Sequence, residues 1–305
     1  MNARDQYPVE ESPADASVED DLAEKINAWE QESPPQRASE EPDPIVPVDT
    51  PIPLAIQTPI TWQEAPVIPT TISERAIEIY LAGLEKGLQP NVFGKVGDCG
   101  STPSWFLGSF DLPEEYYSLG EFSYLKGVID YYAGSFERTS VAAVPGFNTS
   151  SVFAPLWADP VQCDPNEGPL ACEYRLQQPS VALIMLGTND QYRPDEFEAK
   201  MRDILDYSIE SGVLPILASK ADDLEGDHRI NQIIYRLALE YELPYWNYWR
   251  AVQALPNQGM QEDGAHLTWA PNFFDNPRAM QTAWTVRNLT ALQVLDAVWQ
   301  ALPKP

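Results

Sequence analysis

Four short stretches of this sequence hold the residue types that acyl transfer requires. They are Gly97-Asp98-Cys99-Gly100-Ser101, Pro145-Gly146-Phe147-Asn148, Gly187-Thr188-Asn189-Asp190 and Asp263-Gly264-Ala265-His266. Together they offer a thiol, glycine amides, a carboxamide and an Asp/His pair. A thiol attacks a carbonyl carbon once a base takes its proton, and an imidazole held by a carboxylate is such a base. Glycine amides and a carboxamide are suited to receive the negative oxygen that attack creates. The chain has only two histidines, His228 and His266, so an accidental Asp-x-x-His is less expected.

Such groups must be held at one place, and the elements around them suggest how. Strand-like runs fall at Val92–Val96, Ser140–Val144, Val181–Leu186, Val213–Ala218 and Pro244–Tyr248. Two of them, VALIMLG and VLPILAS, are short, apolar and uncharged, as strands buried on both faces should be. Helical patterns lie between and after the later runs, at Asp195–Ser211, Arg229–Tyr241 and Ala279–Leu302. Ahead of the first run, Ser73 is placed to cap a helix through Leu84 that Gly87 would end. The aromatic-rich segment Leu112–Ser135 reads as helix plus loop. This alternation predicts an α/β domain over 71–305 with a parallel sheet covered on both faces. In such sheets ligands bind beyond the carboxyl ends of the strands, where the four stretches fall.

The order Gly-Asp-(Ser), Gly, Gly-x-Asn-Asp and Asp-x-x-His resembles the SGNH (GDSL-type) hydrolase superfamily over most of 90–270. The resemblance implies a three-layer α/β/α sandwich on a five-stranded parallel sheet of flavodoxin-like type. It also implies cleavage of esters, including lipid esters and acetyl groups on carbohydrates, without a cofactor or a metal. Position by position, His266 would be the base and Asp263 its orienter, with Asn189, Gly146 and the amide of residue 99 forming the oxyanion hole. This chain departs from the family at the nucleophile, where Cys99 stands in place of serine. Ser101 is the alternative nucleophile, and the strand-end position favours Cys99. Thiolate leaves more readily than most alkoxides, so a second expectation is a weak or inactive module that binds a glycan or acyl ligand.

Other residues invite plainer readings. Asp98 and Asp190 are expected to be hydrogen-bonding struts for their loops. His228 follows an acidic run, Asp222 to Asp227, that lacks the alternation of a calcium loop and reads as a helix entry. Trp269, Phe273 and Phe274 could line an acyl or sugar pocket or could simply pack on the domain.

Composition narrows the partners. The chain has 305 residues and a formal charge of −27, from 19 Lys+Arg against 46 Asp+Glu. It offers no basic stripe for nucleic acid, no attraction to an anionic membrane surface and no apolar run long enough to span a bilayer. The expected partner is a small-molecule, glycan or lipid ester, met by a monomer. Residues 1–70 contain no glycine, 12 of the 29 prolines and 15 acids against three bases. That composition predicts a disordered tail and spacer, dispensable for the stability of the domain. Within it Leu22, Ile26 and Trp29 recur at helical spacing behind Ser17, read as a transient solvated helix in preference to one that docks. Cys163 and Cys172 flank a turn-rich loop and are expected to form a bridge, leaving Cys99 as the free thiol. The residues after Met1 lack the basic start and apolar run of a signal peptide. A bridge and an acidic spacer nevertheless suit the cell surface or the extracellular side.

Overall fold

A computed structural model describes residues 17–32 and 61–304 of the chain. In order, the elements are α1 (Val18–Gln31), α2 (Glu74–Glu85), β1 (Gln89–Gly97), β2 (Tyr117–Ser118), α3 (Lys126–Tyr131), α4 (Pro169–Gln177) and β3 (Pro179–Met185). Then come α5 (Pro194–Ser211), β4 (Leu214–Ala218), α6 (Arg229–Glu240), β5 (Tyr245–Trp246), α7 (Tyr248–Val252), β6 (Asn272–Phe273) and α8 (Ala283–Ala301). Four strands form a parallel sheet in the order β1-β3-β4-β5. Every residue of β3 and β4 is buried, which explains their uninterrupted apolar runs. Ser73 caps α2 by accepting from the Ala76 amide, and α5 and α6 pack together over β4.

A fifth full strand is not present among the described residues. Ala143 makes a single parallel bridge to Gly97, on the side of β1 away from β3. The residues expected to be a strand thus stand at the sheet edge without forming one. Two backbone bonds at Gly97, its amide on Ala142 and its carbonyl accepting from Val144, are all the ladder there, and side chains hold the rest. Glu173 accepts from the Val141 amide, the Ser140 hydroxyl donates to the Lys95 carbonyl, and the buried Lys95 ammonium donates to the Phe136 carbonyl. Arg138 joins the same edge, donating to Glu173 at 2.6 Å and to the Phe93 carbonyl at 2.9 Å. The segment read as helix plus loop resolves into 3-10 turns, β2 and α3, and β2 pairs in parallel with β6.

Two stretches of the expected tail are ordered parts of the fold. Trp62 and Ala65 are buried, and the fully buried Asn247 donates from its amide to both their carbonyls, at 2.7 and 2.9 Å. Upstream, α1 docks instead of staying solvated. Leu22 is buried, Lys25 lies 3.6 Å from the centre of the Trp105 ring, and Arg278 lies 4.4 Å from that of Trp29. The apolar stripe at helical spacing therefore marked a packing face, and two cation–π contacts add to it. The rest of 1–70 lies outside the described residues.

Candidate active site

The nucleophile turn begins where β1 ends. A side chain at Gly97 would collide with the Ser101 hydroxyl and the Met185 carbonyl, so the turn can close tightly only on glycine. Asp98 then accepts from the Gly100 amide at 2.9 Å, and a 3-10 turn runs over Cys99–Ser101. The turn exposes Cys99 and buries Ser101 completely, with no partner for its hydroxyl among the described residues. Ser101 therefore faces the protein, and Cys99 faces outward. The thiol is accessible on one side, yet the dense protein behind it withholds water. That burial, with the Asp98 carboxylate adding to it, pushes the thiol up to about 11, while Arg287 pulls the other way.

Two further loops meet beside one another. Gly146 adopts a left-handed φ of +85° in an exposed turn closed by the Phe147 amide on the Val144 carbonyl. Asn189 donates its side-chain amide to the Phe147 carbonyl at 2.9 Å, joining the Gly146 loop to the Gly187 loop. One amide hydrogen fixes the carboxamide, and the second remains for another acceptor. Asp190 reinforces the junction by accepting from the Thr149 amide at 3.1 Å and the Thr149 hydroxyl at 2.5 Å. Burial raises Asp190 and Asp98 above the usual carboxylate range, against the pull of the hydrogen bonds they accept. Behind the Gly187 loop, Thr188 donates to Asp222, which pairs with the buried Lys220 and, through it, with Glu225.

The Asp/His pair is made within one turn. Asp263 accepts from the Ala265 and His266 amides with one oxygen, each at 2.9 Å, and meets His266 Nδ1 with the other at 2.5 Å. The amide and ring of His266, then the Ala265 amide, hold this carboxyl well below its usual range. With Nδ1–H donating to Asp263, Nε2 is the basic nitrogen, on an imidazole whose side chain is two-thirds exposed. No hydrogen bond joins Cys99 to His266 among the described residues. Such contacts are often long before substrate binds.

The remaining candidates divide. Phe274 is buried against Phe110 and Phe122, Phe273 packs edge-on to Trp29, and Trp269 lines a small cleft with Leu22, Ile26 and Trp105. His228 sits at the entry to α6, its amide donating to Asp223, with its ring near Trp62 and Trp249. Cys163 and Cys172 are bonded to each other, with Cα atoms 5.3 Å apart. Among the described residues they form, with Glu167, the one grouping compact enough for a metal, and the disulfide occupies both sulfurs. No described helix is long and apolar enough to cross a membrane. Arg287, in the second turn of α8, is a site residue that no motif in the sequence marks. A lone arginine within the apolar stretch AWTVRNLTALQVL was the available signal.

No family model matches the sequence, and no curated protein matches it. Among solved structures, the chain is similar to one described as TesA, with 16% identity and a TM-score of 0.41 over 68% of this chain and 99% of that one. It is also similar to the psychrotrophic esterase EstA from Pseudoalteromonas sp., with 13% identity and a TM-score of 0.39 over 68% of this chain and 97% of that one. At such low identity the chemistry of the site has to come from its own residues.

Proposed function

We propose that the chain is an SGNH-type ester hydrolase that transfers an acyl group through Cys99. The observation that carries this reading is the Asp263–His266 pair. An exposed ion pair adds little to stability. Yet Asp263 accepts from two amides and from the ring, fixing one tautomer and one orientation of an imidazole in solvent. Orientation of that kind serves proton transfer.

In the proposed reaction His266 Nε2 takes the thiol proton as Cys99 Sγ adds to the ester carbonyl. The negative oxygen is received by the Gly146 amide, the second hydrogen of the Asn189 carboxamide and the amide of Cys99. Collapse expels the alcohol, which takes the proton from His266 and leaves an acyl thioester on sulfur. Water, deprotonated by the same imidazole, then releases the acid and restores the thiol. Because the resting thiol is pushed up to about 11, attack has to be concerted with proton removal and does not start from a standing thiolate. No step calls for a cofactor. The substrate class is a small-molecule, glycan or lipid ester, acted on by a single chain. The Cys163–Cys172 bridge supports an oxidising compartment.

The high thiol also favours a second reading, a weak or inactive module that binds a glycan or acyl ligand. Turnover of a nitrophenyl acetate separates the two. Under the hydrolase reading the wild type turns over and Cys99→Ala and His266→Ala do not, with melting unchanged. Equal background rates in all three would leave the binding module.

A further inference from the structure

Beneath the nucleophile turn lies a buried cation that the reaction above does not use. Arg287 reaches from α8 and is only 8% exposed. A side chain built on Gly100 would place its Cβ 2.7 Å from Arg287 Nη1, so the guanidinium lies directly against the turn. Phe106, Trp284 and Tyr248 surround it, with ring centres 5.0, 5.0 and 5.5 Å away. Its one hydrogen-bond acceptor among the described residues is the Met185 sulfur at 3.2 Å, and Nε has no partner there. A guanidinium in so dry a place normally has a carboxylate in bidentate contact. This one has no such contact, and the charges that act on it are Asp98 and Cys99, with the Tyr248 hydroxyl.

We propose that Arg287 is the positioning charge of the nucleophile turn, supplying the counter-charge for the Cys99 sulfur when its proton leaves. The proposal rests on Cys99 as the nucleophile and explains why a thiol can stand where a hydroxyl would be expected. In the concerted attack negative charge builds on the sulfur beside Asp98 as His266 takes its proton, and the carboxylate and the surrounding protein both oppose that charge. Gly100 fits the same scheme, since any side chain there would displace the guanidinium. The groups that set the balance are Asp98 and Arg287 on the sulfur, with Asp222 acting on Asp98.

Alkylation by iodoacetamide tests this in the full chain with its disulfide intact, so that Cys99 is the thiol available. Sulfur displaces iodide, and at about pH 9 the rate follows the thiolate fraction. Removing an adjacent opposite charge shifts ionisation enough to slow Arg287→Met by ~10-fold or more. Arg287→Lys, which keeps the charge but not its planar fit, should fall between. Asp98→Asn keeps an acceptor for the Gly100 amide and should alkylate several-fold faster. A purely structural arginine would lower the melting temperature of both Arg287 variants and leave the alkylation rate alone. Should Arg287→Met not fold, Arg287→Lys and Asp98→Asn carry the test. A folded Arg287→Met that alkylates at the wild-type rate, or an Asp98→Asn no faster than wild type, overturns the proposal. Ester turnover is not read, so failure of the hydrolase reading would be seen separately.

Discussion

Residues 61–70 should determine where the domain can be cut. Chains beginning at 61 and at 71 differ only by this segment, which contains the buried Trp62 against Trp249 and His228. Its carbonyls accept from Asn247, with the Asn247 amide on Val67 and the side chain on Trp62 and Ala65, and from Arg250 on Glu64 and Ala65. Loss of a buried tryptophan costs ~3 kcal/mol at the low end of its range. Three donors on Asn247 lose their acceptors at ~1 kcal/mol each, since water would reach them once the segment is gone. The sum of ~6 kcal/mol is a large share of the ~5–15 kcal/mol that stabilises a typical domain. At ~2–4 °C per kcal/mol for a domain of this size, the chain starting at 71 should melt ~12–24 °C below the chain starting at 61. Calorimetry or circular dichroism reads the difference. Melting of the two within about 3 °C would show that residues 61–70 do not stabilise the domain.

Other expectations follow from single groups. Burial pushes Lys95 down to about 7 in the folded chain, with Arg138 adding to the effect. Between that value and the lysine range of the unfolded chain, the unfolded state binds the extra proton, so stability rises with pH. Wild type should therefore gain on Lys95→Met from about pH 7 to pH 10 in denaturant melts, and a flat or falling difference would contradict this. Thiol titration of the denatured, unreduced protein should find one free thiol, and reduction of the bridge should cost ~2–3 kcal/mol. Leu22→Asp should release α1, seen as rapid proteolysis near residue 30, while the melting temperature of the remainder stays within a few degrees. Asp263→Asn should lower ester turnover strongly but less completely than His266→Ala, because tautomer and orientation are lost while the base remains.

The parallel sheet could be read from β3 and β4 because full burial forces an unbroken apolar run on the sequence. The fifth strand misled for a physical reason. Ser140 to Val144 has strand composition, but its pairing with β1 stops at two backbone bonds to Gly97, while the Val141 amide goes to Glu173 and the Ser140 hydroxyl to the Lys95 carbonyl. Within 1–70 the two described stretches were hidden because composition averages over length. Proline and acid counts across 1–70 conceal Trp62, Ala65 and the stripe Leu22-Ile26-Trp29, where a few apolar contacts decide order. At the site, short motifs exposed Asp263–His266 and the Asn189 junction, since their partners lie within a few residues or on adjacent loops. Arg287 stayed hidden because its role depends on α8 reaching a turn almost two hundred residues upstream, and no local spacing encodes that approach.

A covalent acyl group on the Cys99 sulfur would be seen by mass spectrometry after rapid mixing with an activated ester. One acyl group per chain is expected, mapped to Cys99, released by hydroxylamine and absent in Cys99→Ala. An adduct mapped to Ser101, or ester turnover with the Cys99→Ala chain still acylated, would contradict acyl transfer through Cys99.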